Sequence, residues 1–430
     1  MTHLLTNTLT FVFALGVIIV VHEAGHLLVA KAFGVRVLTF SVGFGKRLWG
    51  FRRGETEYRV SAVPLGGYVR LGGENLEEST GDPREFLSKP RWQRVLVYLA
   101  GPAMNVFLAV ALFAVLFMVG IKVPSFPDMP PVIGGVEAGS SAAQAGLQRG
   151  DLIKTVNGKL AESWHDVLME LMTSPEKAVR LEVARGEKTF ATAVTPQRIP
   201  KEESGDWAGI YPSLRPQVTE VAPDSPAAAA GFRAGDEIRK VDGLPVADSR
   251  DFVSYVEKHA GTALQIEIVR DGSTRMLTVV PRLEHGVGKI GVGIGYFQRY
   301  GPLKALGESV RYNVQIVTDT FAIVGKIFSR QMSAKGAFAG PIEIARQTGA
   351  AARRGFKDLL QLMGFISISI AIMNLMPIPI LDGGQIFILL IEEVIRRDLS
   401  LRLKEVISQI GLVMILLLMA VVIYFDYLKL

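Results

Sequence analysis

Four stretches of the chain contain no lysine, arginine, aspartate or glutamate, and each is about as long as a membrane crossing requires. They are residues 4–21, 95–121, 359–381 and 407–425. This pattern predicts four transmembrane helices. We expect the first one to be retained, because it lacks the basic residues that begin a secretory signal. Apolar residues make up 49% of the chain, too many for an ordinary soluble protein.

The distribution of charge predicts the orientation of these helices. Residues 31–94, between the first two helices, hold 12 lysine and arginine residues against 7 aspartate and glutamate residues, and four more basic residues lie within 396–404. The positive-inside rule places both segments in the cytoplasm. The two termini and residues 122–358 are then expected outside. This topology accounts for the net charge of +6. The sequence contains no basic stripe with interleaved aromatic residues, so it does not indicate a nucleic-acid partner.

A repeat lies between the second and third predicted helices. The run AGLQRGDLIKTVNG, residues 145–158, aligns with AGFRAGDEIRKVDG, residues 230–243, at an offset of 85. In each copy, short β-rich runs alternate with glycine turns and one helical pattern, which predicts two small β-rich domains in tandem. The run resembles that of circularly permuted bacterial PDZ domains, which bind an extended peptide at a sheet edge. The alternative is that both domains are only spacers or shields.

The region after the repeat predicts a helix over residues 303–328. Its apolar face is interrupted by Glu308, Arg311, Asp319 and Lys326, so we expect it to lie on the membrane surface rather than to cross it. The alternative, a fifth crossing, would reverse the last two spans against the charge rule.

The motif HEAGH, residues 22–26, carries the candidate chemistry and directly follows the first charge-free stretch. His22 and His26 are four residues apart, so on a helix they share one face and can hold one metal ion, with Glu23 beside them. The motif alone is a weak signal. Its position strengthens it, because ionisable residues at bilayer depth are costly and a metal ion can compensate them. The alternative is a polar helix end near the cytoplasmic surface.

A catalytic zinc needs three protein ligands and one open position, and the chain has no cysteine to supply one. Asp382 is the best third candidate. It lies in NLMPIPILDGG, where two prolines break a helix and two glycines let the backbone approach closely. Glu343 is a rival that the topology places outside. Asn105, in AGPAMN, fits a role in helix packing or as a hydrogen-bond partner of a ligand better than a role as a ligand.

Together, HEAGH, AGPAMN, NLMPIPILDGG and the tandem repeat resemble the site-2 protease family of intramembrane zinc metalloproteases over nearly the whole chain. The resemblance implies that His22, His26 and Asp382 bind Zn²⁺, that Glu23 is the catalytic glutamate, and that Asn374 helps to hold the substrate. It also implies a re-entrant β-hairpin after the first helix. Two β-leaning runs and their turns in residues 35–72 fit such a hairpin, and an ordinary cytosolic loop is the alternative.

The predicted fold is a polytopic α-helical membrane protein with four transmembrane helices, a re-entrant β-hairpin and two tandem extracytoplasmic PDZ domains of the α+β class. The predicted segments are the first transmembrane helix with HExxH (1–34), the hairpin loop (35–92), the second helix (93–121), PDZ domain 1 (128–200), PDZ domain 2 (208–285), the membrane-surface helical region (300–358), the third transmembrane segment (359–395) and the fourth helix (405–430).

The predicted function is that of a zinc endopeptidase that cuts membrane-spanning segments. The resemblance implies a pre-trimmed substrate of the anti-sigma factor type, a bacterial inner membrane and periplasmic PDZ domains. Partners are the transmembrane substrate and membrane lipid, and a monomer is assumed. The PDZ domains are expected to exclude substrates with bulky outer domains. The alternatives are an anchored peptide-binding protein with a vestigial metal site, and a metal transporter, for which the chain lacks ligands across the bilayer.

Overall fold

The computed structural model describes residues 2–74, 80–122, 129–174, 176–196, 208–212, 216–246, 248–284, 286–295, 297–329 and 340–427. The chain forms two compact units. One comprises Met1–Met118, Gly301–Ala322 and Ser333–Leu430, and the other comprises Val119–Tyr300 and Ile323–Met332. The predicted domain limits at residues 128, 200, 285 and 430 lie outside the described residues.

The described residues form helices and strands that are numbered here in chain order. The helices are α1 (Thr2–Ala32), α2 (Arg91–Val119), α3 (Ser141–Gln144), α4 (Trp164–Met172), α5 (Pro226–Ala229), α6 (Ser249–Lys258), α7 (Pro302–Phe328), α8 (Pro341–Arg354), α9 (Phe356–Asn374), α10 (Asp382–Ile395) and α11 (Leu401–Tyr427). The strands are β1 (Val37–Arg53), β2 (Thr56–Leu71), β3 (Ile121–Lys122), β4 (Ile133–Val136), β5 (Leu152–Val156), β6 (Lys159–Leu160), β7 (Val179–Arg185), β8 (Lys188–Val194), β9 (Ile210–Pro212), β10 (Gln217–Val221), β11 (Glu237–Val241), β12 (Leu244–Pro245), β13 (Leu264–Arg270), β14 (Ser273–Val279), β15 (Arg282–Glu284), β16 (Val287–Lys289), β17 (Val292–Gly295) and β18 (Phe297–Gln298).

Within the described part of the chain, four helices are long and apolar enough to cross a membrane, in agreement with the four predicted helices. They are Asn7–Ala32, Arg91–Val119, Phe356–Asn374 and Arg402–Tyr424. α1 runs beyond the first charge-free stretch to Ala32, because the polar residues of HEAGH remain in the same helix. α9 ends at Asn374, within the third charge-free stretch, because the prolines that follow cannot continue it.

Small residues and buried hydroxyl groups hold α1, α2 and α9 together. A Cβ atom at Gly25 of α1 would lie 2.7 Å from the carbonyl carbon of Ala100 and 2.8 Å from Cγ of Met104, so only glycine allows α2 to approach this closely. Ser367 Oγ of α9 donates a hydrogen bond of 2.8 Å to the carbonyl oxygen of Asn105. The HEAGH motif therefore faces the backbone of α2 directly.

The predicted hairpin in residues 35–72 is present as the antiparallel pair β1 and β2, which runs from Val37 opposite Leu71 to Arg53 opposite Thr56. Alternate residues in the first part of β1 are buried, whereas most of the strand from Phe44 onward is exposed. The base of the hairpin packs on α1 and α2 through a buried apolar cluster: Leu27, Ala30, Val35, Val37, Leu71, Phe86 and Val97. The last residues of β2 are thereby fixed close to α1.

The two copies of the repeat form similar β-rich domains. The first contains the sheet β6–β5–β7–β8 and the pair β4–β9, and the second contains the sheet β14–β13–β11–β10–β17 with β12 beside β11. The offset of 85 residues persists in the helices and strands, since β5, β7 and β8 correspond to β11, β13 and β14. Each domain has its own buried apolar core, with Trp164 of α4 in the first and Phe252 of α6 in the second.

The helix predicted over residues 303–328 is α7. It is not among the helices apolar enough to span a membrane, and it buries only three side chains, those of Ala305, Ser309 and Asn313. Ser309 Oγ donates a hydrogen bond of 2.6 Å to the carbonyl oxygen of Val110, which ties α7 to α2.

Candidate metal centre

Three predicted metal ligands converge in the first unit. His22 and His26 lie one turn apart on α1, with 3.3 Å between their Nε2 atoms. Asp382, the first residue of α10, places Oδ2 3.2 Å from His22 Nε2 and Oδ1 3.6 Å from His26 Nε2. One ligand atom from each residue lies within 4.8 Å of the other two, so this group could hold a single metal ion.

Hydrogen bonds to α2 orient the two imidazole rings. His26 Nδ1 lies 2.7 Å from the carbonyl oxygen of Val97. A carbonyl oxygen only accepts, so Nδ1 carries the proton and Nε2 keeps its lone pair facing Asp382. This outer hydrogen bond is typical of histidines that bind metal through the other ring nitrogen.

Asn105 of α2 orients the imidazole ring of His22. This residue is fully buried, its Nδ2 atom lies 3.2 Å from His22 Nδ1, and its Oδ1 atom has no partner among the described residues. The oxygen and nitrogen of an amide exchange places on rotation and are assigned from the hydrogen-bond network. With Oδ1 facing the ring, His22 Nδ1 donates to it and Nε2 is left free for a metal ion. Asn105 therefore fits the predicted role of a partner to a ligand.

Gly101 of α2 lies directly against the two histidine nitrogens that face Asp382. A Cβ atom at Gly101 of α2 would collide with Nε2 of both His22 and His26. The site thus needs glycine at this position, because any side chain would occupy the region where the ligand atoms meet. The sequence motif AGPAMN contains this glycine, but nothing in the sequence indicates that it faces the histidines.

The turn after α9 brings Asp382 to the cluster. α9 ends at Asn374 and α10 begins at Asp382. Between them, the Leu381 N–H donates to the carbonyl oxygen of Ile378 at 2.8 Å. Cβ atoms at Gly383 and Gly384 would collide with backbone carbonyl groups of this turn, which explains the glycine pair. The two prolines end one helix, and the two glycines let the next begin against the same turn.

A cavity of about 470 Å³ contains all five predicted site residues. Glu23 lies directly under β2, since a Cβ atom at Gly67 would be 3.1 Å from Glu23 Cγ. Asn374 lines the cavity from the end of α9. Residues that the sequence did not indicate also line it, from β2, α2, α10, α11 and the segment after β2: Tyr68, Val69, Leu71, Glu74, Val97, Tyr98, Gln385 and Ser408.

Two other acidic residues, Glu74 and Glu343, lie outside the group of three metal ligands. Burial raises the pKa of Glu74, which lies in the cavity but outside the group of three ligands. The rival ligand Glu343 lies in the first turn of α8, where it accepts hydrogen bonds from Arg346 and Gln347 at 2.8 Å. It is not part of the metal-ligand group formed by the described residues.

Comparison with known proteins gives the family. The family described as Peptidase family M50 matches residues 10–418. The regulator of sigma-E protease RseP is 33% identical in both Salmonella typhimurium and Escherichia coli, with all of this chain and all of each relative covered. A relative from Vibrio cholerae, described as a zinc metalloprotease, is 31% identical over the same full coverage. The PDZ domain of an SdrC-like protein from Listeria monocytogenes matches 20% of this chain and 92% of its own length, at 23% identity and a TM-score of 0.18. The chain belongs to peptidase family M50, and it is a zinc metalloendopeptidase of the intramembrane, site-2 protease type.

Proposed function

We propose that His22, His26 and Asp382 hold the zinc ion, that Glu23 is the general base, and that the enzyme cuts a peptide bond within a membrane-spanning segment of its substrate. The observation that carries this proposal is the convergence of three ligand atoms within 4.8 Å, in a cavity that Glu23 also lines. The donor set of two imidazoles and one carboxylate is one that zinc accepts, and it leaves one position open.

The residues of the cavity divide the chemistry between them. When bound, zinc lowers the pKa of a water molecule and polarises the carbonyl group that is attacked. The Glu23 carboxylate takes the proton from water and later delivers it to the leaving nitrogen. Asn374 offers an amide that can hydrogen-bond the main chain of the substrate. Val97 and Asn105 keep the two imidazole rings turned toward the ion.

We also propose how the substrate is presented. A peptide bond in a transmembrane helix is shielded by the helical hydrogen bonds, so the helix must unwind before cleavage. The hairpin β1–β2 is the element that we propose to be re-entrant, and Tyr68, Val69 and Leu71 of β2 line the cavity. An unwound segment could pair with the edge of this strand.

For the biological substrate we propose a single-span protein of the anti-sigma factor type, already trimmed outside, because the relatives are named regulators of sigma-E. The enzyme would act as a monomer in the bacterial inner membrane. The two β-rich domains would lie in the periplasm as PDZ domains that exclude untrimmed substrates. Removing residues 130–285 should then allow an untrimmed substrate to be cut, and an untrimmed substrate that stays intact would contradict the filter.

The site is tested by metal content and cleavage together. Elemental analysis of the detergent-purified chain should give about one zinc per chain, lost in His22→Ala and in Asp382→Ala. Glu23→Gln should keep the zinc and lose cleavage of a transmembrane substrate. Glu343→Gln is the matched control, and it should keep both zinc and cleavage, because Glu343 is paired with Arg346 away from the cluster. A Glu23→Gln variant that still cuts would overturn the mechanism.

A further inference from the structure

Glu74 is a third carboxylate in the cavity, beside Glu23 and Asp382, and the proposed reaction has no use for it. It follows β2 and is half-buried. The Leu71 N–H donates a hydrogen bond of 3.2 Å to Oε2 of Glu74, whereas Oε1 accepts no hydrogen bond from the described residues. Glu74 lies outside the group of three metal ligands. It is therefore a cavity-lining carboxylate with one oxygen that the described residues leave available to an occupant.

The backbone around Glu74 is held firmly. Gly73 adopts a left-handed φ of +62°, and a Cβ atom there would lie 2.7 Å from the carboxyl carbon of Glu85, so the turn requires glycine. The Phe86 N–H donates a hydrogen bond of 2.8 Å to the carbonyl oxygen of Gly72. This turn fixes the position of the Glu74 carboxylate at the end of β2.

Glu85, a neighbouring carboxylate in the same loop, has both oxygens engaged by hydrogen bonds. It is fully buried, and both of its oxygens accept hydrogen bonds from Thr80, while Oε2 also accepts one from the Gly81 N–H. Glu74 contrasts with it, since among the described residues only one of its oxygens accepts a hydrogen bond and the residue borders a cavity. The two neighbouring carboxylates thus have different roles, one in the turn and one toward the cavity.

The chemistry of Glu74 limits what can bind to it. An ionised carboxylate only accepts hydrogen bonds, so its partner must bring a hydrogen-bond donor. In a protease cavity the occupant is a peptide. Every peptide offers main-chain N–H donors, and lysine and arginine side chains add positively charged ones, which an anionic carboxylate favours.

We propose that Glu74 is a substrate-binding residue, whose free oxygen accepts a hydrogen bond from an N–H donor of the peptide, either a main-chain amide or a basic side chain. This inference rests on the proposed function of the cavity. Glu23 handles the proton of the reaction, and Glu74 places the chain that is to be cut.

Binding is measured first, because it does not depend on turnover. The probe is a synthetic peptide with one apolar transmembrane segment and a helix-breaking centre that carries lysine, glutamine or glutamate at one position. The full chain with Glu23→Gln is placed in nanodiscs and titrated with each peptide. Adding Glu74→Leu should weaken binding roughly tenfold to a hundredfold, since hydrogen bonds to charged groups are the stronger class. Glu55→Leu is the matched control and should leave the affinity unchanged, because the Glu55 carboxylate is exposed and paired with Arg84.

The peptide series separates the two donors. If Glu74 binds a basic side chain, the lysine peptide binds best and Glu74→Lys shifts the preference to the glutamate peptide. If it binds a main-chain amide, Glu74→Leu weakens all three peptides equally and their order stays the same. Glu74→Gln keeps an acceptor for the Leu71 N–H and serves as a second variant should Glu74→Leu lose zinc. It should remove the preference for lysine in the first case and weaken all peptides in the second.

Unchanged affinity for all three peptides in Glu74→Leu, with zinc retained, would overturn the inference. So would unchanged affinity and order in Glu74→Gln. Failure of the proposed function has a different signature, since it would appear as a Glu23→Gln variant that still cuts or as a wild-type chain without zinc. Because peptide affinity is measured without cleavage, the two failures are distinguishable.

Discussion

Both units of the molecule bury carboxylates, but they give them different partners. In the second unit, Asp151 and Asp236 are fully buried, and each accepts two hydrogen bonds of 2.6–2.7 Å from an arginine of its own domain, Arg185 or Arg270. These two pairs are related by the repeat offset. In the first unit, Asp382 lies between two histidines and is related to no second copy.

The difference indicates which carboxylates serve the fold and which serve the chemistry. A guanidinium carries a full positive charge and matches both carboxylate oxygens, so the pair has no net negative charge left to attract a cation. Neutral imidazoles leave the carboxylate able to bind a cation. Charged pairing is not confined to the second unit. The buried Glu392 of the first unit also has a charged partner, Lys404, whose Nζ lies 2.6 Å from Oε1 of Glu392. The nature of the partner is therefore more informative than burial.

The largest effect should follow from filling the space between the histidines. We expect Gly101→Ala to lose the zinc and with it all cleavage, because the new methyl group would collide with Nε2 of both His22 and His26. Zinc is measured by elemental analysis and cleavage on a transmembrane peptide. Gly16→Ala is the control, since a Cβ atom at Gly16 meets no atom within 4 Å. Full zinc in Gly101→Ala would mean that the ion lies elsewhere.

The paired carboxylates should affect stability and leave the chemistry unchanged. We expect Asp236→Asn and Asp151→Asn each to lower the free energy of opening of their own domain, by about 2 to 4 kcal/mol, because an arginine loses its charged partner. The loss should be larger at Asp236, since Arg270 is 11% exposed and Arg185 is 38% exposed. Hydrogen exchange of the full chain, read by mass spectrometry for each domain, measures both values.

In both variants the zinc content and the cleavage of a trimmed substrate should equal those of the wild type. Loss of zinc in either variant would remove the distinction between structural and chemical carboxylates. Equal losses of stability at the two sites would show that the exposure of the arginine does not control the strength of the pair.

The sequence predicted the parts of the molecule whose signals are local. Charge-free stretches located the four apolar helices, and the 85-residue offset located the two β-rich domains. The HEAGH spacing placed His22 and His26 on one helix face. The first charge-free stretch ends at residue 21 although α1 continues to Ala32, because a search for uncharged residues stops at His22 and Glu23 even where the helix continues.

Other parts depend on contacts between residues far apart in sequence. Gly101 lies in an apolar helix, and only the close packing of α1 on α2 makes it part of the site. Glu74 follows a turn packed against Glu85, and the Gly72–Gly73 pair indicates a turn but not that it borders the cavity. Ser408 of α11 joins the lining from the far end of the chain. Such residues could be found only after the helices and the hairpin were packed together.

The smallest effect should be the pH dependence of the first β-rich domain. Burial alone would raise the pKa of Asp151, but hydrogen bonds from Arg185 and from the Gln148 N–H outweigh it and hold the pKa below the ordinary value of 3.8. A carboxyl group with a lowered pKa stabilises the folded state above its unfolded pKa, and this contribution is lost as pH falls through the folded pKa. Stability from this pair should therefore be constant between about pH 5 and 8 and should decline only below about pH 4. Urea unfolding followed by tryptophan fluorescence, to which the buried Trp164 contributes, measures the decline. Asp151→Asn should remove that part of it, whereas an unchanged profile in this variant would assign the acid sensitivity to other carboxylates.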